Sequence, residues 1–350
     1  MNLTVEVQSE VNEDEWDHML TKSKHATGFQ SAYFFKPNQI AYGSKPIFIK
    51  VLDTSGEIVG QLSAIINVKE IRHVSNSFSK MLIDRFNFGS NLQWKHGPVI
   101  HDHVNHKEIS SQILSTIEQI CKKNKIELVK GTTPPLDQNF TENYFKNFGY
   151  LVTSWKNYVI KLPEDPNSHF ASLHNKIRYD VRKGEKNGLT FEIAKNINEI
   201  NEFGMLKYGK RQDDPELVIN EGKIGIETAW DYHFKKGLRK LFLVRLNGKL
   251  IGGINALVFN DIVCHTTVVN SSQKNLQGGS FLTWNSIKWA IENEHVCLDL
   301  GGVNPSPKNE KEKGIDHYKS KWNGTEYKIF IFSKIVRKNR SKFSSLLRRF

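Results

Sequence analysis

Cysteine is scarce in this sequence: Cys121, Cys264 and Cys297 are the only three in 350 residues, and they lie far apart along the chain. Such spacing suggests neither a disulfide framework nor a cysteine-built zinc site, and it suits a reducing compartment. Long apolar runs are missing as well. No stretch approaches the roughly 20 apolar residues that cross a bilayer, and the opening Met1-Asn2-Leu3-Thr4-Val5-Glu6 lacks a basic start followed by an apolar core. The expectation is a chain that is neither exported nor membrane-spanning, working in the cytoplasm or peripherally at the inner face of the membrane. Asn139-Phe140-Thr141 is then a glycosylation sequon by chance. Low-complexity tracts are also absent, so any internal repetition has to be sought in the order of strands and helices.

Acid is in the minority. Against 49 Lys and Arg stand 37 Asp and Glu, a net charge of +12. Half of that excess sits in the last fifteen residues, where Arg337, Lys338, Arg340, Lys342, Arg348 and Arg349 meet no acid. The remaining body is mildly basic, which suits an anionic partner such as a phosphate-bearing precursor, a membrane surface or an RNA, and nothing points to DNA.

Periodicity gives the organisation. Trp16 to Lys24 reads as a helix and Pro46 to Leu52 as a strand; Asp53-Thr54-Ser55-Gly56 is a turn, and Glu57 to Val68 a second strand. Lys107 to Asn124 places Ile109, Ile113, Ile117 and Ile120 on one helical face, and Ile126 to Lys130 is a short strand after it. The second half repeats the order: a helix over Ile197 to Arg211, a hairpin of Lys240 to Leu246 and Leu250 to Asn260 turned by Asn247-Gly248, and a strand over Ile262 to Asn270. A helix (Phe281 to Asn293) and an apolar strand (Val296 to Leu300) complete it. With 38% apolar residues the chain can bury two cores of ordinary size. The expected division is 1–162 and 163–335, joined near Leu162-Pro163-Glu164-Asp165-Pro166, with a basic tail over 336–350.

Three segments carry chemistry. Ser272-Gln273-Lys274-Asn275-Leu276-Gln277-Gly278-Gly279-Ser280 stands between a strand and a helix N-terminus, where backbone N–H groups can hold an anion. Asp299-Leu300-Gly301-Gly302 closes a strand. Lys313-Gly314-Ile315-Asp316-His317-Tyr318-Lys319-Ser320-Lys321-Trp322-Asn323-Gly324 follows a polar loop. With the basic segment Lys176 to Gly188, and with Phe29-Gln30-Ser31 and Gly97-Pro98-Val99 in the first half, this succession resembles the FemABX aminoacyltransferases and related N-acyltransferases.

The resemblance implies an α/β fold of two tandem GNAT-like domains with mixed sheets. Such enzymes move an amino acid from aminoacyl-tRNA, or an acyl group from CoA, to an amine on a peptidoglycan or surface-glycan precursor, with no metal and no tightly bound cofactor. The chemistry asks that two reactants be oriented, a proton removed and an oxyanion stabilised. The family's aromatic–Lys pair falls on Tyr318-Lys319, making Lys319 the stabilising charge and Tyr318 a pocket wall or a core residue. Asp299 is a base or an orienting group, and equally a cap or a lysine partner. His265 is a base or a satisfied core histidine. Arg178 and Arg182, four apart on a helix, hold a phosphate or tRNA backbone or are simply a charged face. Lys36 and Asp102 lie near the positions of substrate contacts in the first domain. Asn275, Gly278, Gly279 and Ser280 keep the spacing of the pyrophosphate-gripping loop of acetyl-CoA-dependent GNAT enzymes, but only its central glycine. That departure and the basic body tilt the expected donor towards aminoacyl-tRNA. Acyl-CoA-dependent N-acylation of an amino sugar in polysaccharide synthesis is the rival, and a non-catalytic RNA- or membrane-binding scaffold the other. His101-Asp102-His103-Val104-Asn105-His106 has metal-ligand residue types, yet a polar loop before a helix explains it, and no metal is expected.

In the tail, Phe343, Leu346, Leu347 and Phe350 fall at i, i+3, i+4 and i+7 among basic residues, the pattern of an interfacial helix, with a disordered basic tail or a tRNA-binding one as the other readings. Truncation after Ile335 should abolish salt-sensitive co-sedimentation with anionic vesicles in the absence of RNA, while leaving neutral vesicles unbound as before. Equal binding by the full and truncated chains would remove the membrane assignment.

Overall fold

The structure, a computed structural model, describes residues 2–67, 90–102, 105–208, 225–270 and 276–337. They divide into two compact units, 1–154 with 328–350 and 155–327. No helix among the described residues is long and apolar enough to cross a membrane.

In the first unit, β1 (Thr4–Gln8) pairs antiparallel with β2 (Lys45–Leu52), and β2 with β3 (Ile58–Asn67). Asp53 turns the hairpin, its Oδ1 accepting the amides of Ser55 (2.8 Å) and Glu57 (3.0 Å). Between β1 and β2 come α1 (Glu13–Thr21), capped by Asn12, and α2 (Lys36–Tyr42), closed by Gly43 in the left-handed region. Next, β4 (Asn91–Gln93) joins β3 antiparallel and β5 (Val99–Ile100) pairs its other end. The crossover helix α3 (His106–Lys123) buries Ile109, Ile113, Ile117 and Ile120 as its periodicity requires, and returns the chain to β6 (Leu128–Thr132), parallel to β4. After α4 (Glu142–Asn147) the chain leaves through β7 (Leu151–Lys161).

The second unit runs α5 (Pro166–Ser172), α6 (Asn175–Lys186), β8 (Leu189–Ile193), α7 (Ile197–Tyr208), β9 (Arg239–Leu246), β10 (Lys249–Phe259), β11 (Ile262–Asn270), α8 (Gly278–Glu292), β12 (Cys297–Val303) and α9 (Glu310–Lys319), after which β13 (Thr325–Ile335) leads back to the first. Its ladder repeats the first: β9–β10 and β10–β11 antiparallel, then a helical crossover to β12, parallel to β11. Along β9 the side chains alternate between faces. Phe242 and Val244 join the core under α6 and α8, and Leu241 and Leu243 pack with Ile200 and Phe203 of α7.

The expected join at 162–166 and the run of the second domain to 335 differ from what the chain does. Pro166 is the first residue of α5, with Asp165 capping it through Asn167 N (3.0 Å) and Ser168 N (2.9 Å), so this proline begins a helix. The units change over inside strands instead. From Lys156 to Lys161, β7 pairs with β12 of the second unit, whereas Ile331 to Ile335 of β13 pair with β6 of the first. Phe332 drives that return by stacking on Phe145 at 4.0 Å and meeting Trp94 edge-on at 5.5 Å. Val336 continues the ladder through a bond from its amide to Glu127 O (2.9 Å), so the tail begins later than expected; its 338–350 portion lies outside the described residues.

A Cβ on Gly184 in α6 would stand 2.9 Å from Cβ of Phe281 in α8, so glycine is what lets these helices approach. Gly184→Ala should lower the unfolding free energy by about 1–2 kcal/mol, overpacking outweighing the gain in helix propensity. A urea titration at unchanged slope reads it, and an unmoved midpoint would mean that the helices simply separate.

Candidate active site

The parallel strands β11 and β12 are paired only over Ile262–Cys264 and Cys297–Asp299. Past that point β11 continues to Asn270 along β10, while β12 bends to follow β7 after a register shift between Asp299 and Gly302. Two adjacent strands that stop pairing leave backbone groups to be satisfied by something else. On β12 that something is Lys319, the last residue of α9, whose Nζ donates to Gly301 O (2.9 Å) and Gly302 O (3.1 Å).

Asp299 shapes the turn that presents those carbonyls. It is buried, its Oδ1 accepts Gly301 N (2.7 Å) and its Oδ2 accepts Asn157 Nδ2 (2.7 Å). Gly301 takes φ +83°, a conformation that favours glycine. Burial pushes the Asp299 pKa up, against the pull of the Gly301 amide, Asn157 and the Lys319 charge. Both of its oxygens are thus engaged in holding the turn.

An ammonium has three N–H bonds. Two of Lys319's are used, and the third has no acceptor among the described residues. Burial lowers its pKa to about 8, with Asp299 and Asp316 pulling the other way. His265 is buried on β11, its Nε2 3.1 Å from Ser286 Oγ on α8. Burial, and secondly the Lys319 charge, lowers its pKa to about 3, so the ring stays neutral through the working range and is a poor proton acceptor. Tyr318 donates its OH to Gly279 O (3.1 Å) and shares a bond with Thr283 Oγ1 (3.0 Å), tying α9 to the first turn of α8; burial raises it to about 12.

Of the expected anion-holding group, Asn275 lies outside the described residues. Gly278 and Gly279 form the first turn of α8 behind Gln277, which sits at φ +57°. A Cβ on Gly279 would stand 2.9 Å from Asn270 Nδ2. Ser280 is buried, so its hydroxyl faces inward and only backbone groups remain for a ligand. Arg178 and Arg182 lie four apart on α6, Arg178 on Asn175 Oδ1 and Arg182 over the Phe170 ring at 5.7 Å. In the first unit Lys36 is paired with Glu13 at 2.5 Å, and Asp102 closes the turn before α3 by accepting Asn105 N (3.3 Å) and Nδ2 (2.7 Å). The neighbouring imidazoles go separate ways, His101 Nε2 to Gln61 Oε1 (2.9 Å) and His106 Nε2 to Asp137 Oδ2 (2.9 Å), and His103 lies outside the described residues. No His, Cys, Asp or Glu cluster fit for a metal occurs among the described residues.

Sequence reasoning missed β7. Asn157 orients Asp299, and its Oδ1 is buried without a hydrogen-bond partner among the described residues. Lys156 and Tyr158 flank it. Their signal was a strand-like run, Leu151 to Lys161, interrupted by polar residues; its partner β12 is about 140 residues away, so no local pattern could connect them.

In lysine-labelled protein one Nζ should titrate near pH 8 and vanish in Lys319→Met. Asp299→Asn, which removes an attracting charge, should move that midpoint lower. An unshifted midpoint would uncouple the two residues.

Residues 171–320 match the family described as acetyltransferase (GNAT) domain. Among curated proteins no sequence matches the chain. Solved structures do. FemX aligns over 99% of this chain and 100% of its own, at TM-score 0.70 and 13% identity. A tandem GNAT protein from the clavulanic acid biosynthesis pathway aligns over 96% and 99%, at 0.57 and 10%. A chain from Agrobacterium fabrum, described as the C-terminal domain of a lysylphosphatidylglycerol synthetase, aligns over 96% and 96%, at 0.53 and 11%. Residues 171–320 are thus similar to a GNAT acetyltransferase domain, and the fold of the chain is similar to that of FemX.

Proposed function

We propose that this protein transfers an acyl or aminoacyl group from an activated carrier to an amino group of a cell-envelope precursor, forming an amide. The observation that carries the reading is the Lys319 ammonium, partly buried, held by two carbonyls and left with one N–H to give. The neutral acceptor amine attacks the donor's ester or thioester carbonyl. Lys319 stabilises the oxyanion, the carbon–oxygen or carbon–sulfur bond of the carrier breaks, and the proton lost by the nitrogen balances the one gained by the departing hydroxyl or thiol.

Aminoacyl-tRNA is the favoured donor. Arg178 and Arg182 offer a basic face on α6, the body of the chain is basic, and neighbours in fold include FemX and a chain described as part of a lysylphosphatidylglycerol synthetase. Acyl-CoA is the second reading, favoured by the GNAT domain match over 171–320. Peripheral attachment through the tail would bring the site to a lipid-linked acceptor.

Given aminoacyl-tRNA or acyl-CoA and an amino-bearing precursor, one donor should be consumed. Lys319→Met should lower kcat/KM by about 10²–10³, the scale of one oxyanion donor, with the unfolding midpoint little changed. Activity should fall as pH rises through about 8, where the ammonium is lost; a lysine acting as base would show the opposite limb. A folded protein that consumes neither donor would point to the scaffold reading.

A further inference from the structure

Helix α9 carries Lys319, yet none of its ten residues is fully buried, and only the half-buried Tyr318 at its end packs against the core. Its aliphatic residue Ile315 is 40% exposed. A helix without a buried face must be held by specific contacts. At its start Asn309 caps Glu312 N (3.0 Å), and the Glu312 carboxylate accepts Lys308 N (2.8 Å) and Asn304 Nδ2 (3.2 Å), all within the loop that leads into it. At its end Tyr318 and Lys319 reach α8 and β12. Between them, on the one half-buried residue of the middle turn, Asp316 meets a polar group supplied by β7 and β13.

That group is Lys156, Tyr158 and Glu326. Tyr158 OH lies 2.7 Å from Asp316 Oδ1 and 2.8 Å from Glu326 Oε1. Lys156 Nζ lies 3.0 Å from Asp316, 2.9 Å from Glu326 and 2.9 Å from the Tyr158 oxygen. A phenol has one proton, so Tyr158 donates to one carboxylate at a time and accepts from Lys156. The lysine bridges both acids, and these contacts reinforce one another. The Tyr158 ring is itself part of the buried core, so the hydroxyl stands on a fixed base. Electrostatics agree. Burial alone would raise Asp316, but Tyr158 and Lys156 hold it below the usual carboxylate range, and Lys156 is the leading reason that Glu326 is low as well.

We propose that Lys156 and Tyr158 are positioning residues: with Glu326 they latch α9 to β7 through Asp316, one turn before Lys319, and so fix the ammonium at the Gly301–Gly302 carbonyls. That the latch serves catalysis rests on the reading of Lys319 given above; that it holds the helix does not. Because Glu326 is about half exposed, the latch is open to screening by salt.

Hydrogen exchange on the full chain tests it, with Tyr158→Phe, which keeps the core ring, and Asp316→Asn, on the surface. In both, amides of residues 312–319 should exchange about tenfold faster or more, with β9 to β11 unchanged. Transfer should lose kcat by about tenfold with KM within about twofold, since substrate binding is not touched. Lys156→Arg, which keeps the charge, should restore much of what Lys156→Met loses. Unaltered protection of 312–319 in both first variants would overturn the latch, and faster exchange with undiminished kcat would overturn its positioning role. If the wild-type protein transfers nothing, the proposed function falls, while exchange still decides whether this network holds the helix.

Discussion

One buried carboxylate sets the geometry of the candidate site. Asp299 is almost wholly buried, so its two oxygens must find donors inside, and they find the Gly301 amide and the Asn157 side chain. The first bond holds Gly301 in its left-handed conformation; the turn then presents two successive carbonyls where a strand partner would otherwise be. Those carbonyls hold the ammonium of Lys319 in place, and the burial that lowers its pKa also makes its charge felt strongly. Loss of Asp299 would leave two buried donors unpaired as well as release the turn, a larger cost than any single hydrogen bond it makes.

The chain path explains why this arrangement is spread so widely. Each unit builds an antiparallel hairpin, a third strand and a helical crossover to a parallel fourth, and the strand beside that fourth comes from a part of the chain remote in sequence. Residues 155–161 of β7 complete the second unit's ladder at β12, bringing Lys156, Asn157 and Tyr158 with them. A cut at 162/163 would therefore remove the strand that orients Asp299 and the two residues that face α9.

Polar contacts dominate at the site while apolar ones dominate the cores. Phe145, Phe332 and Trp94 in the first unit, and Phe242, Leu282 and Ile287 in the second, fix the sheets and crossover helices. On that scaffold α9 is attached chiefly through hydrogen bonds, and its position is the more readily altered for it.

Much was legible without coordinates. The apolar stripe of Ile109, Ile113, Ile117 and Ile120 announces a helix because 3.6-residue periodicity is a local property. Asn247-Gly248 announces a hairpin because both residues tolerate positive φ, as they do here at +49° and +76°. The pairing of Tyr318 with Lys319, and the glycines after Asp299, were found as motifs because each is contiguous. What stayed hidden depends on distance along the chain. Nothing near Pro163 and Pro166 tells a domain join from a helix start, since proline suits both. The burial of His265 beside Ser286 and the Lys319 charge depends on strand packing that no local pattern shows. Asn157 and Tyr158 acquire a role only when β7 is laid against β12. The sequence by itself determined the repeated order of elements and the residue types of the site; tertiary structure alone decided which of them meet, because strand pairing and burial join residues more than a hundred positions apart.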